Sequence, residues 1–293
     1  MKKLLPILAV MAVTVTATAQ NPKIESSADE VIVQWNNTTA PHSSNDTKPE
    51  KVVASGKGYK VAHTSETVFY LFKPKNPTGH SLVIFPGGGY STVNIGFGIA
   101  EWLRDNGITA MVVKYRLPNG NREVPLEDAA AAVSYLRTNA ERLAIDPHKI
   151  GVSGSSAGGH LAAWSSAVLE GEQKPDYAVL LYPVINGQIW TCKSQWSTFE
   201  QLLGKWRTPV DIEKHSVDLL VTPQTPPTLI LHSDDDFIAP AYNSTLYYKA
   251  LKRHGVKASM HIYPSGGHGW RSREKFEYRQ QWLEATKEWI LSF

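Results

Sequence analysis

The order of apolar runs along this chain predicts an α/β fold, a mainly parallel sheet with helices on both faces. Three observations carry that prediction. Short β-branched and aliphatic runs alternate with segments of helical periodicity. Those runs are continuously apolar, as in strands buried on both faces. Glycine-rich turns follow several of them directly, where a parallel sheet gathers its ligands at the carboxyl ends of its strands. The 293 residues, 42% hydrophobic and 19% charged, suffice for one large core, and a single pattern of elements runs through them.

From the start, Lys2 and Lys3 precede an apolar run over 4–15, and Ala17-Thr18-Ala19 precedes Gln20. A basic start, a run too short for an ordinary membrane span and an A-x-A site predict a signal peptide over 1–19, cleaved after Ala19, and export to the periplasm or beyond. Residues 20–50 are polar, with Val31, Ile32, Val33 and Trp35 as apolar anchors, and are read as an arm leading into a domain over 51–293.

Strands are then expected over 67–72, 82–85 and 108–115, with a helix over 99–105 closed by Asn106-Gly107. An alanine-rich stretch predicts one long helix over 126–143, and a strand over 149–153 runs into a helix over 157–169. Strands over 178–182, 228–232 and 259–263 follow, with helices over 241–255 and 276–292, while 186–206 interrupts the regular pattern. Cys192 is the only cysteine, so no internal disulfide can form. Removing Lys2 and Lys3 lowers the formal charge from +3 to +1, which gives no electrostatic reason to expect nucleic acid or a membrane surface as partner.

The residues with chemistry fall just after strands. Gly154-Ser155-Ser156-Ala157-Gly158 matches G-x-S-x-G between a strand and a helix, a sharp turn that would expose Ser156 at a helix N-terminus, where backbone donors and the dipole favour negative charge. Pro86-Gly87-Gly88-Gly89-Tyr90 follows the 82–85 strand, and the N–H groups of Gly88 and Gly89, with that of Ala157, are candidates for an oxyanion hole. His268 lies in Ser265-Gly266-Gly267-His268-Gly269-Trp270 after the 259–263 strand, placed as a base whose near-neutral pKa suits proton transfer. The acid that orients it is expected between Ser156 and His268 in the chain, and Asp234, Asp235 and Asp236 all qualify by position. No H-E-x-x-H, cysteine pair or spaced carboxylate series suggests a metal, and no G-x-G-x-x-G opens a helix to suggest a dinucleotide.

PGGGY at 86–90, KYRLP at 114–118, DPHKIGVSGSSAGGHLA at 146–162, HSDDDFIAP at 232–240 and YPSGGHGW at 263–270 together resemble bacterial carbohydrate esterases of the α/β-hydrolase superfamily, acetylxylan-esterase-like proteins above all. The resemblance covers most of 80–290, with Pro86 in place of the histidine of the commoner HGGG loop. It implies a Ser156–His268–Asp236 triad, because Asp236 before Phe237-Ile238-Ala239-Pro240 resembles the D-x-x-V-P phrasing around the acid of such hydrolases. It further implies an acyl-enzyme mechanism, no cofactor, and removal of acetyl or other small acyl groups from plant polysaccharide such as xylan. Tyr90, Trp190 and Trp196 are candidate substrate-binding side chains, since aromatic rings can stack on the C–H faces of sugars, though the tryptophans serve equally to pack the 186–206 excursion. The competing readings are a feruloyl esterase, a prolyl-oligopeptidase-like peptidase lacking the large N-terminal propeller, a lipase, and an inactive carbohydrate-binding relative.

Overall fold

Leu82, Val83, Ile84 and Phe85 are buried on both sides, as are the later apolar runs. In the computed structural model, which describes residues 23–189 and 193–293, these runs lie side by side. The main sheet begins with β1 (Glu30–Asn36), antiparallel to β4 (Glu66–Phe72), which is antiparallel to β7 (Thr109–Lys114). From there β5 (Ser81–Phe85), β8 (Ile150–Ser155), β9 (Tyr177–Leu181), β10 (Thr228–Ser233) and β11 (Ala258–Tyr263) continue in parallel. The spatial order is β1-β4-β7-β5-β8-β9-β10-β11. Every residue of β5, β7, β8, β9 and β10 is buried, as expected for strands covered on both faces.

Helices α1 (Gly98–Asp105), α2 (Glu123–Thr138), α4 (Ala157–Val168), α7 (Tyr242–Arg253) and α8 (Arg279–Leu291) pack on this sheet, α4 over β8 and β9 at its centre. The small residues of α4 let it approach closely: a Cβ on Gly159 would come within 2.9 Å of the Pro183 backbone. The alanine-rich stretch expected as one helix divides instead into α2 and α3 (Ala140–Leu143). The break falls at Asn139, where ψ swings to 16° and the side-chain amide donates to the Tyr135 carbonyl at 2.9 Å beside the backbone N–H at 3.1 Å. The last helix starts at Arg279, not 276, because Phe276 turns inward and stacks on Trp270 at 4.8 Å.

Three further features lay outside the expected elements. The stretch read as an irregular arm supplies β1, in which Ile32 packs on the core while Val31 and Val33 face solvent. A second, antiparallel sheet joins β2 (Lys51–Ser55), β3 (Gly58–Ala62) and β6 (Val93–Ile95), the first two through a two-residue turn with Gly56 at φ +56°. The excursion after β9 contains α5 (Lys193–Leu203) and α6 (Pro209–Glu213), the latter opened by a reciprocal Thr208–Asp211 cap. Beneath β1, the wholly buried Arg116 is held by Asp128 and Glu127, and Asp128 also accepts the Trp35 indole N–H at 2.6 Å. The expected signal peptide, Trp190 and Cys192 lie outside the described residues.

Candidate active site

The carboxyl ends of β5, β8, β10 and β11 bring four loops together. At the end of β8, Ser156 adopts φ +57° and ψ −123°, a backbone region that costs a non-glycine residue energy and persists only where its surroundings hold it. Close packing explains the flanking glycines. A Cβ on Gly154 would stand 1.9 Å from the Gly158 carbonyl oxygen, and one on Gly158 would stand 2.1 Å from that of Phe85. The turn therefore fits tightly between its own helix and β5, with the serine side chain facing a cavity.

His268 lies on the loop after β11. Its Nδ1 is 2.6 Å from Asp236 Oδ2, and its Nε2 is 2.8 Å from Ser156 Oγ. The carboxylate fixes the tautomer: Nδ1–H donates to Asp236, which leaves the Nε2 lone pair to accept the serine O–H. The ring rests edge-on against Tyr182 with centroids 4.8 Å apart. Gly266 and Gly267, at φ +138° and +58°, shape the loop, and their N–H groups donate to the Asp235 carboxylate at 3.2 and 2.7 Å. Arg273 holds the other side, donating to the Gly266 and His268 carbonyls at 2.9 and 2.7 Å.

Of the three consecutive aspartates, Asp236 is the buried one and the one that reaches His268. Burial alone would raise its carboxyl pKa. The hydrogen bonds from His232 and His268, and that from the Ala239 N–H, outweigh burial and hold it well below the usual carboxylate range. Its other oxygen accepts the Ile238 and Ala239 N–H groups, both at 2.9 Å. Asp235 instead ties the histidine loop, and Asp234 is exposed.

The glycine loop after β5 meets the serine turn from the opposite side. Gly88, at φ +141°, leaves no room for a side chain, since a Cβ there would lie 2.0 Å from the Thr92 carbonyl oxygen. The Gly88 carbonyl accepts the N–H groups of Ser91 and Thr92, both at 3.1 Å, which folds the loop back on itself. Pro86 anchors its start by accepting the Tyr115 hydroxyl at 2.9 Å. Among the described residues, none of the Gly88, Gly89 or Ala157 N–H groups donates to a protein acceptor.

Ser156, His268, Gly88 and Gly89 line one cavity of about 1200 Å³, larger than a single small-molecule pocket requires. Of the aromatic candidates, Tyr90 and Trp196 do not line it. Tyr90 is buried under the loop, its hydroxyl 2.9 Å from His160 Nδ1, because the positive φ of 56° at Tyr90 turns the side chain inward. Trp196 faces away, with the Arg207 guanidinium 4.2 Å over its ring. His160 is buried, and burial lowers its pKa to about 4. His232 was not anticipated at the site, although it ends a strand within the acidic motif; its Nε2 lies 3.3 Å from Asp236 Oδ2. Tyr182 was also missed, and its only sequence signal is its place after β9.

Comparisons with known proteins agree with this architecture. A family model described as alpha/beta hydrolase fold matches residues 82–272. An acetylxylan esterase of Xylanibacter ruminicola is 36% identical over 228 residues, covering 75% of this chain and 47% of that protein. Endo-1,4-beta-xylanase B of Butyrivibrio fibrisolvens is 29% identical over 205 residues, covering 64% of this chain and 32% of that protein. The chain thus spans half or less of the length of these two relatives. Among solved structures, an acetyl ester-xyloside bifunctional hydrolase from Caldicellulosiruptor lactoaceticus superposes with a TM-score of 0.75 at 29% identity, covering 94% of this chain and 98% of that one.

Proposed function

We propose, on the premise that this chain belongs to the alpha/beta hydrolase fold family, that it is an exported serine esterase that removes acetyl groups from xylan or a similar plant polysaccharide. One observation carries the enzymatic part: the unbroken hydrogen-bonded line from Ser156 through His268 to Asp236, facing a glycine loop with uncommitted N–H donors. In this reading His268 takes the Ser156 proton as Oγ attacks the ester carbonyl. The oxyanion forms against the N–H groups of Ala157 and of Gly88 or Gly89, at the N-terminus of α4. His268 then protonates the departing sugar oxygen, and water repeats the sequence to free the acid. Asp236, kept ionised, stabilises the imidazolium formed in each step.

The acetyl and xylan parts are supported by the named relatives and by a cavity with room for several sugar units. Export is supported by Lys2, Lys3, the apolar run and Ala17-Thr18-Ala19. The test is release of acetate and of ferulate from acetylated and feruloylated xylan, beside Ser156→Ala. Acetate release that disappears in the variant is the expected result. Ferulate release would move the acyl specificity, and activity only on p-nitrophenyl acetate would remove the polysaccharide.

A further inference from the structure

Arg271 sits three residues after His268, in the single helical turn Trp270–Ser272, and is 8% exposed. Other arginines have partners: the buried Arg116 is held by Asp128 and Glu127 beneath β1, and Arg273, two residues on, by two loop carbonyls. Among the described residues, the Arg271 guanidinium has no ion pair or hydrogen bond. It nevertheless lines the cavity that holds Ser156 and His268. Its charge opposes the rise that burial imposes on the Tyr182 hydroxyl, which places it beside the ring that touches His268. With 8% of the residue exposed, the guanidinium has little water to satisfy its N–H groups, and an acceptor arriving from the cavity side would do so.

The rest of the cavity has the same sign. Lys57, Lys60, Arg273, Lys275 and Arg279 line it too, against one carboxylate, Glu274, which is already bonded to Lys57. The whole chain carries 30 basic and 27 acidic side chains, so this concentration is local. Such a field raises the local concentration of anions, and a guanidinium matches a carboxylate with two parallel N–H bonds.

We infer that the ester this cavity takes carries a carboxylate, received by the Arg271 guanidinium while the scissile carbonyl rests on Ser156. The inference rests on the esterase reading of the Ser156 site. The carboxylate has two possible sources: a uronic acid on the sugar, or the free acid of a dicarboxylic half-ester on the acyl side.

The experiment measures kcat/KM for two matched pairs of esters. The first is an acetylated xylo-oligosaccharide bearing a uronic acid, against the same compound with that carboxyl reduced to the alcohol. The second is p-nitrophenyl hemisuccinate against its methyl ester. The expected result is a preference of roughly tenfold or more for the acidic member of one pair, which identifies the source, and which shrinks as salt is raised. In Arg271→Gln the ratio falls toward one, and Arg271→Lys restores part of it. A purely structural arginine would lower both members alike and leave the ratio unmoved; that result, or cleavage of both pairs by the unmodified protein without preference, overturns the inference while the esterase stands. If Arg271→Gln does not fold, the ratio in the unmodified protein and its salt dependence decide. An acidic preference in the p-nitrophenyl pair with both sugars untouched keeps the carboxylate subsite and removes the polysaccharide. Silence on all four esters removes the esterase and the inference with it.

Discussion

His232 Nε2 stands 3.3 Å from Asp236 Oδ2, the same oxygen that receives His268 Nδ1 at 2.6 Å. His232 is itself fixed, accepting from the Ser244 hydroxyl through Nδ1 at 2.6 Å and donating through Nε2 to the Ala239 carbonyl at 2.8 Å. It therefore presses a second N–H toward the acid from below and makes it a weaker base. His232→Phe removes that donor. The expected outcome is a kcat for p-nitrophenyl acetate lowered by roughly tenfold with little change in KM, and an acidic limb of the pH–rate profile displaced from its original position. A variant with KM raised and kcat intact would assign His232 to packing alone.

The three consecutive aspartates should separate by mutation. Asp236→Asn leaves the wrong histidine tautomer favoured and is expected to lower kcat by roughly 10⁴-fold. Asp235→Ala frees the N–H groups of Gly266 and Gly267 and loosens the loop under His268, for a loss of about 10- to 100-fold. Asp234→Ala, at an exposed side chain, should stay within about twofold, since surface substitutions usually change stability by less than ~0.5 kcal/mol. Steady-state kinetics of the three variants checks the order.

His160 gives the fold a pH dependence of its own. Tyr90 O–H donates to its Nδ1 at 2.9 Å, its Nε2–H donates to the His215 carbonyl at 2.9 Å, and burial lowers its pKa from 6.5 to about 4. Between those values the unfolded chain binds a proton that the folded chain refuses, so stability falls as pH falls through this window. The loss amounts to about 3 kcal/mol by pH 4. Urea unfolding of the protein and of His160→Asn at pH 7 and at pH 4.5 should show the variant losing less stability across the interval.

Asp128→Ala should destabilise the protein by about 3–5 kcal/mol, because it leaves the wholly buried Arg116 without its main partner and strands the Trp35 indole N–H. Thermal melting checks this. A loss below about 1 kcal/mol would mean that Glu127 alone satisfies the guanidinium.

The sequence made the centre of the sheet legible because β5, β7, β8, β9 and β10 are continuous apolar runs, and it made the loops legible because glycines crowd where chain approaches chain. Ser156 and His268 were visible for that reason, and the aspartate cluster by its place after a strand and between them in the chain. β1 was not, since none of its residues is fully buried and polar sequence flanks it. Tyr90 was misjudged because adjacency to a glycine loop does not reveal which way a left-handed residue turns. Arg271 left no signal at all, as an arginine in a basic, glycine-rich stretch reads as a surface residue until its burial is seen.

β1 makes the N-terminal segment a working part of the sheet and sets a limit on how the protein can be shortened. Glu30 binds both Lys73 and Arg142, Asp29 accepts the Lys73 N–H, and Trp35 reaches the Arg116 cluster. A chain trimmed beyond the expected cleavage point but before Asp29 keeps all of these contacts. One begun after Asn36 uncovers the hydrogen-bonding edge of β4, a strand whose last six residues are all buried and, after Thr67, all apolar or aromatic. An edge of that kind recruits other chains, so recombinant material cut at the apparent start of the regular fold is expected to come out as aggregate.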